Sequence, residues 1–297
     1  MADEYRACRL CPRCCGIDRS HTVGRCGVGA EPTLARAALH LWEEPPISGE
    51  RGSGTVFFSG CSLGCIFCQN RPVAAAEIGR KVSEQRLCQI FLSLAEAGAH
   101  NLNLVTATQF IPSVLKALDL ARAKGLRLPI VWNSGGYERV ESLRMLAGAI
   151  DIFLVDFKYG ASCTADALAS APDYPSVAEA ALAEMLRQRP SVEYGEDGML
   201  LSGTVVRVLL LPGHLVDAKL ALRRAYSVAG DRALYSLMSQ YTPMPGMRPP
   251  LDRRVSLSEY ESFVRYAQAL GIHSGFTQQG ESALESFIPS FDYAGIE

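Results

Sequence analysis

An excess of charge of either sign is what this chain most lacks. Its 29 lysines and arginines stand against 31 aspartates and glutamates, leaving a net charge of −2. That balance argues against a polybasic surface built for nucleic acid or anionic lipid, so neither is expected as a partner. Long hydrophobic runs are missing too. No stretch reaches the roughly eighteen consecutive apolar residues that a membrane span needs. The opening, MADEYRACRLC, puts acids and cysteines where a secretory leader needs basic residues and then an apolar stretch. A cytoplasmic protein is therefore expected. Internal repeats and low-complexity tracts are likewise missing.

Cysteine, by contrast, is abundant and clustered. Of ten, five lie in the first 26 residues and three lie between 61 and 68, while Cys88 and Cys163 stand alone. A reducing cytoplasm disfavours a disulfide framework, and clustered reduced thiols point instead to metal or redox chemistry.

With 297 residues, 48% of them hydrophobic, the chain can form one large barrel or two ordinary domains. It divides near residue 50. Residues 1–50 carry paired cysteines, scattered prolines and little periodicity, so a metal is expected to order them. A glycine- and serine-rich connection, Ile47 to Gly54, leads into the main domain, 51–275, and a tail without strong period fills 276–297. In the main domain strands and helices alternate. Strands are expected at 55–59, 101–106, 128–132, 150–157, 204–211 and 233–239. Helices are expected at 83–97, 111–123, 139–146, 177–189, 215–228 and 257–270. Six β-then-α units imply parallel strands with right-handed crossovers. The expected class is α/β, a partial (β/α)6 TIM-type barrel with a small N-terminal metal-binding segment, because chemically suggestive residues follow nearly every strand.

Directly after the first strand stands Ser59-Gly60-Cys61-Ser62-Leu63-Gly64-Cys65-Ile66-Phe67-Cys68. Random placement of ten cysteines gives only ~0.01 matches to this C-x3-C-x2-C spacing. Three thiolates on one short loop suit three irons of a cubane 4Fe–4S cluster, leaving the fourth iron without a ligand from the motif. Structural sites close with four ligands, whereas a catalytic metal keeps a position open. Gly60 and Gly64 let the loop curl so that backbone N–H groups face the sulfurs.

This loop, with an aromatic before its last cysteine, resembles that of the radical S-adenosylmethionine (SAM) superfamily. The likeness runs over about residues 8–275 and is strongest to pyruvate formate-lyase activating-enzyme-like proteins with an extra N-terminal cysteine segment. Glu44-Pro45-Pro46-Ile47-Ser48-Gly49, Val155-Asp156-Phe157-Lys158-Tyr159 and Ser239-Gln240-Tyr241-Thr242-Pro243 are similar to theirs. The resemblance implies that Cys61, Cys65 and Cys68 carry the catalytic cluster and that its open iron chelates SAM. An external reductant, a flavodoxin or ferredoxin-type protein, then drives cleavage to a 5′-deoxyadenosyl radical. It places SAM contacts after successive strands. Where relatives carry Gly-Gly-Glu, this chain has Val105-Thr106-Ala107-Thr108-Gln109, so Thr106 and Thr108 stand in for the amine contact. Asn133 and Ser134 follow the third strand. Asp156 is expected at the ribose or amine and Lys158 at the carboxylate. Gln240 and Tyr241 are expected to face adenine or substrate.

The N-terminal thiols read Cys8-x2-Cys11-x2-Cys14-Cys15, then Cys26. By likeness to C-x2-C-P-R-x-C-G, Cys8, Cys11, Cys15 and Cys26 form a four-thiolate site and Cys14 is additional. Spacing leaves zinc and a second 4Fe–4S cluster both open. Two substrate classes also stand open: a backbone glycine of a glycyl-radical partner enzyme, and a small molecule or peptide side chain. A non-catalytic iron–sulfur or zinc redox or binding protein is the third reading. Cys88 and Cys163 are expected to be packing residues, and His40, His100 and His273 surface or capping residues.

Overall fold

The computed structural model describes residues 3–278 and 289–296. Its strands, in chain order, are β1 (Thr33–His40), β2 (Ser53–Phe58), β3 (Arg80–Lys81), β4 (Leu102–Val105), β5 (Ile130–Ser134), β6 (Ile152–Asp156), β7 (Glu193–Tyr194), β8 (Leu200–Leu209), β9 (Leu234–Met238) and β10 (Gly275–Thr277). The sheet runs β10-β9-β8-β6-β5-β4-β2-β1-β3, with β7 hung on β8. From β2 through β10 along this path every pairing is parallel. Chain order and spatial order coincide there, so each crossover steps to the next strand on the same side and the sheet winds into a partial TIM-type barrel.

Six parallel strands lie where hydrophobic periodicity puts them, each shifted by a few residues. A seventh, β10, is only three residues long and has no apolar run, which is why the sequence hides it. The stretch assigned to the N-terminal segment holds β1, an eight-residue strand antiparallel to β2. The barrel sheet thus begins before residue 50, and the segment with little period is shorter than expected. Ile47 and Ser48, expected in a glycine- and serine-rich connection, belong to a one-turn helix, Pro45–Ser48, and are buried. Cys163, expected to be a packing residue, is instead exposed in the helix Ser162–Ala169. Of the expected tail, 279–288 and 297 lie outside the described residues. Residues 289–296 return to β1, where Ala37 N–H donates to the Ala294 carbonyl at 2.9 Å and Arg36 pairs with Asp292 at 2.5 Å.

Strand side chains alternate between two environments. The outward set, such as Val56, Phe58, Leu104, Trp132, Phe153 and Val206, packs under the helices in the main core. The inward set forms layers. At the bottom Val131, Ile152, Leu154, Val205 and Leu234 close around Ile47, which plugs the barrel from the N-terminal side of its strands. Above them the inward residues turn polar at Asn103, Asn133, Asp156 and Arg207. Among the described residues no helix is long and apolar enough to cross a membrane.

Candidate functional site

The polar layer opens upward into a cavity of about 300 Å³ at the C-terminal ends of the strands, lined on one side by Cys61, Cys65 and Cys68. The cysteine loop starts where β2 ends. Gly60, at φ +89°, turns the chain and donates its N–H to the Val73 carbonyl at 2.8 Å. Ser59 anchors the turn through Oγ to the Ile78 carbonyl at 2.7 Å. Within the loop, Leu63 N–H points at Cys61 Sγ at 3.4 Å and Tyr159 donates its hydroxyl to Cys65 Sγ at 2.9 Å. Such donors stabilise thiolate sulfur. In the thiol form, burial pushes Cys68 up to about 12, with Cys61 and Cys65 adding to the shift, so the three sulfurs lie within electrostatic reach of one another. Phe67 is buried behind the loop, its ring edge-on to Tyr159 and Tyr241 at 6.4 and 6.3 Å.

Asp156 and Lys158 reach the same cavity and pair with each other at 2.6 Å, each about a quarter exposed. Burial acts against the Lys158 ammonium, but Asp156 and Cys65 outweigh it and hold the pKa above the ordinary lysine value. Tyr174 fixes the turn between them, accepting from Lys158 N–H at 2.7 Å and donating to the Gly135 or Asp156 carbonyl at 2.9 Å. Beside them, a side chain on Gly135 would press on Leu63 at 3.0 Å and on the Lys158 stem at 3.3 Å. The glycine therefore leaves a cradle between the cysteine loop and the lysine.

The other expected contacts divide. Thr106 and Asn133 line the cavity; Thr106 Oγ1 donates to the Asn133 carbonyl at 3.1 Å. Thr108 and Ser134 do not offer their hydroxyl hydrogens to a ligand. Both donate to Glu138, at 2.8 and 2.6 Å, together with Trp132 Nε1 at 2.8 Å. Glu138 is 2% exposed, and burial raises its pKa although all three donors oppose the shift. A buried carboxylate must gather donors, and these two hydroxyls are the ones in reach. Gln240 lines the cavity with its side chain tied to Gln278 at 2.7 Å, and its carbonyl accepts from Gln69 at 3.2 Å. Tyr241 is buried, and its hydroxyl donates to the Leu251 carbonyl at 2.5 Å, so it presents ring rather than hydroxyl.

The carboxylates of the cavity floor were not anticipated. Arg207 is clamped by Glu43 and by Glu44, with Nε donating to Glu44 Oε1 at 2.8 Å and Nη2 meeting both carboxylates. Asn103 Nδ2 donates to Glu43 Oε1 at 2.7 Å. One arginine thus faces two carboxylates inside the barrel. The signal in the sequence was Glu43-Glu44 directly ahead of Pro45-Pro46, which starts the plug helix and fixes both acids inward. His40 lines the same end, its pKa lowered by burial, so it is neutral near pH 7.

The N-terminal thiols form a separate assembly. Cys8 N–H donates to the Ile17 carbonyl and Gly16 N–H to the Cys8 carbonyl, both at 2.9 Å, which sets Cys8 beside Cys15. Cys15 and Cys26 flank Gly24, where a Cβ would sit 3.5 and 3.7 Å from their sulfurs. Burial pushes Cys11 up to about 12, reinforced by Cys26, Cys8 and Cys15. Cys14 is exposed, in a left-handed turn at φ +42°, with its thiol directed at the Cys11 carbonyl.

Fold and cysteine loop together define a partial TIM-type barrel with three grouped thiols at the C-terminal ends of its strands. Residues 47–171 match the family described as a 4Fe-4S single cluster domain. That stretch holds five cysteines: Cys88 is buried in the main core, Cys163 is exposed on a helix, and Cys61, Cys65 and Cys68 are grouped on the one loop. An uncharacterized protein of Methanocaldococcus jannaschii is 24% identical over 271 residues, covering 89% of this chain and 75% of that protein. A radical SAM methyltransferase from Sphaerobacter thermophilus shares the fold, with a TM-score of 0.55 and 16% identity over 78% of this chain and 67% of that one.

Proposed function

We propose that this chain is a radical SAM enzyme. The observation that carries the reading is the meeting, in one cavity, of a three-thiol cluster loop with the Asp156–Lys158 pair, across a cradle kept open by Gly135. Cys61, Cys65 and Cys68 hold a 4Fe–4S cluster with one iron open. Lys158 faces the carboxylate of SAM, and Asp156 its amine or ribose. Thr106, its hydroxyl hydrogen given to the Asn133 carbonyl, offers its oxygen as an acceptor, and Asn133 offers its side-chain amide. Bound together, cluster and SAM supply a reductive sulfonium cleavage whose 5′-deoxyadenosyl radical abstracts hydrogen. The chain's own part is orientation and exclusion of water: Phe67, Tyr159 and Tyr241 wall the cluster off, and Tyr174 fixes the turn that aims Lys158.

For the substrate we put forward a backbone glycine of a partner enzyme, as in glycyl-radical activation. Trp42, 54% exposed, sits at the Glu43 end of the cavity and suits an extended polypeptide. One specific observation favours a second reading, a small molecule: the floor carries two carboxylates to one guanidinium, which suits a ligand bearing a cation. A flavodoxin or ferredoxin-type protein is the proposed electron donor.

The test is anaerobic reconstitution with iron and sulfide, followed by dithionite and SAM. The enzyme releases 5′-deoxyadenosine, and Cys61→Ala, Cys65→Ala and Cys68→Ala each abolish it. Wild-type protein with an intact cluster but no nucleoside product refutes the reading. Deuterium carried into 5′-deoxyadenosine from a labelled glycyl peptide or from a labelled small cationic substrate separates the two substrate classes.

A further inference from the structure

The N-terminal thiol site and the cysteine loop are physically joined. The Gly60 backbone rests on the Cys26 carbonyl so closely that a Cβ there would come to 2.6 Å from its oxygen. Gly60 is the residue before Cys61. A second connection starts at Cys8. Arg19 Nη1 approaches Cys8 Sγ at 3.8 Å and donates to the Gln109 carbonyl at 2.5 Å, while Gln109 Nε2 donates to the Gly60 carbonyl at 3.0 Å. A third is Arg13, between Cys11 and Cys14, whose Nε donates to the Ser62 carbonyl inside the cysteine loop at 2.9 Å.

Arg19 also indicates what occupies the site. It is 2% exposed, and among the described residues no carboxylate lies within ion-pair distance of it. Its other partners are the Val28 and Gly29 carbonyls and the faces of Tyr5 and Phe110. A buried cation without a counter-charge is costly. Deprotonated sulfurs beside it, Cys8 foremost, supply that counter-charge when a metal centre holds them as thiolates.

Placement separates the two candidate metals. Zinc carries no electron, so nothing in its chemistry would use a contact with the Cys61 loop. A 4Fe–4S cluster would use it: the Cys26 carbonyl, Arg13 and the Arg19–Gln109 chain set the N-terminal thiols directly against the loop in the stretch that matches a 4Fe-4S domain.

We propose that Cys8, Cys11, Cys15 and Cys26 hold a second 4Fe–4S cluster that passes electrons to the cluster on Cys61, Cys65 and Cys68. A one-electron donor protein of low potential reduces the N-terminal cluster from 2+ to 1+. That cluster returns to 2+ as the catalytic cluster goes from 2+ to 1+. One electron moves in each transfer, and no bond or proton changes place. The relay rests on the radical SAM reading; the second cluster does not.

The experiment uses the full chain, reconstituted anaerobically, with iron, sulfide and zinc counted per chain and the reduced clusters followed by electron paramagnetic resonance. Wild type is expected to hold about eight irons, two cubanes of four. The triple variant C61A/C65A/C68A keeps about four and a 4Fe–4S signal, since the N-terminal cubane stands alone. Cys8→Ala with Cys11→Ala also keeps about four, now on the catalytic loop, and Cys14→Ala keeps all eight. One zinc or no iron in the triple variant overturns the assignment whether or not SAM is cleaved. For the relay, the Cys8/Cys11 variant loses reduction of the catalytic cluster by a ferredoxin or flavodoxin but keeps reduction by dithionite. Unchanged reduction by the protein donor overturns the relay and leaves the metal count to decide the cluster.

Discussion

Replacing Arg207 by methionine tests whether the barrel floor is the ionic clamp described above. The guanidinium is 10% exposed, and its partners Glu43 and Glu44 are 8% and 5% exposed. Methionine keeps much of the volume but leaves two carboxylates facing each other in a dry layer. Breaking a buried pair from one side costs about 3–5 kcal/mol. With unfolding entropy of about 2.1 cal/mol/K per residue over 297 residues, that is a loss of roughly 5–8 °C in Tm. The loss depends on pH in a direction the structure fixes. In the wild type, burial pushes the Glu44 carboxyl up, but Arg207 outweighs it and the pKa ends below its ordinary 4.5. The clamp's stabilisation is therefore full above the unfolded carboxylate pKa and is lost as pH falls through the lowered folded value. In R207M the guanidinium's lowering is gone, burial is opposed only by hydrogen bonds from Ser236 and the backbone, and the folded pKa is expected to rise above the ordinary value. The penalty is then full at neutral pH and fades as pH falls toward 4.5. Melting both proteins by circular dichroism from pH 7.5 to pH 5 should show the Tm gap narrowing with acid. A gap that stays constant over that range, or one under about 2 °C at pH 7.5, refutes the clamp.

Glu138→Gln turns an amide nitrogen toward at least one of three donors, Trp132, Thr108 and Ser134. Losing one charge-assisted bond costs about 1.5–3 kcal/mol, so Tm should fall by roughly 2–5 °C; an unchanged melt contradicts the described network. Tyr159→Phe removes the hydroxyl from Cys65 Sγ. A hydrogen bond to sulfur favours the more negative, reduced cluster, so the variant's reduction potential should move down in a titration followed by electron paramagnetic resonance. An unmoved potential means that this contact does not survive in the loaded protein.

What the sequence made legible follows from how each feature is encoded. The six main strands are short runs buried on both faces, such as IVWNS and IFLVD, each followed by an amphipathic helix; period and punctuation suffice to find them. β1 escaped because its run, TLARAALH, sits at the end of a cysteine-rich stretch and alternates without strong contrast. β10 escaped because three residues carry no period at all. The plug helix escaped because Pro, Gly and Ser read as a connection, whereas Ile47 is completely buried. Only the arrangement of the strand ends, which local patterns do not carry, shows that a barrel bottom stands there to receive it.

The two thiol sites were legible for the opposite reason: their cysteines lie close together along the chain, so spacing alone displays them. The carboxylates were not. Glu138 gathers partners from β5 and from the turn after β4, and Glu43 and Glu44 find Arg207 more than 160 residues away. A lone glutamate in a sequence is ordinarily a solvated one, and nothing local marks these as exceptions. The resemblance to activating enzymes pointed to Thr108 and Ser134 as ligand contacts through their places at strand ends. The same places bring them within reach of Glu138, and a buried carboxylate competes for hydroxyl donors more strongly than a ligand that is bound only part of the time. Residues that do hold free polar capacity toward the cavity, Asp156 and Lys158 above all, are those whose partners are each other, so that an incoming zwitterion can exchange one ion pair for two without leaving a charge buried alone.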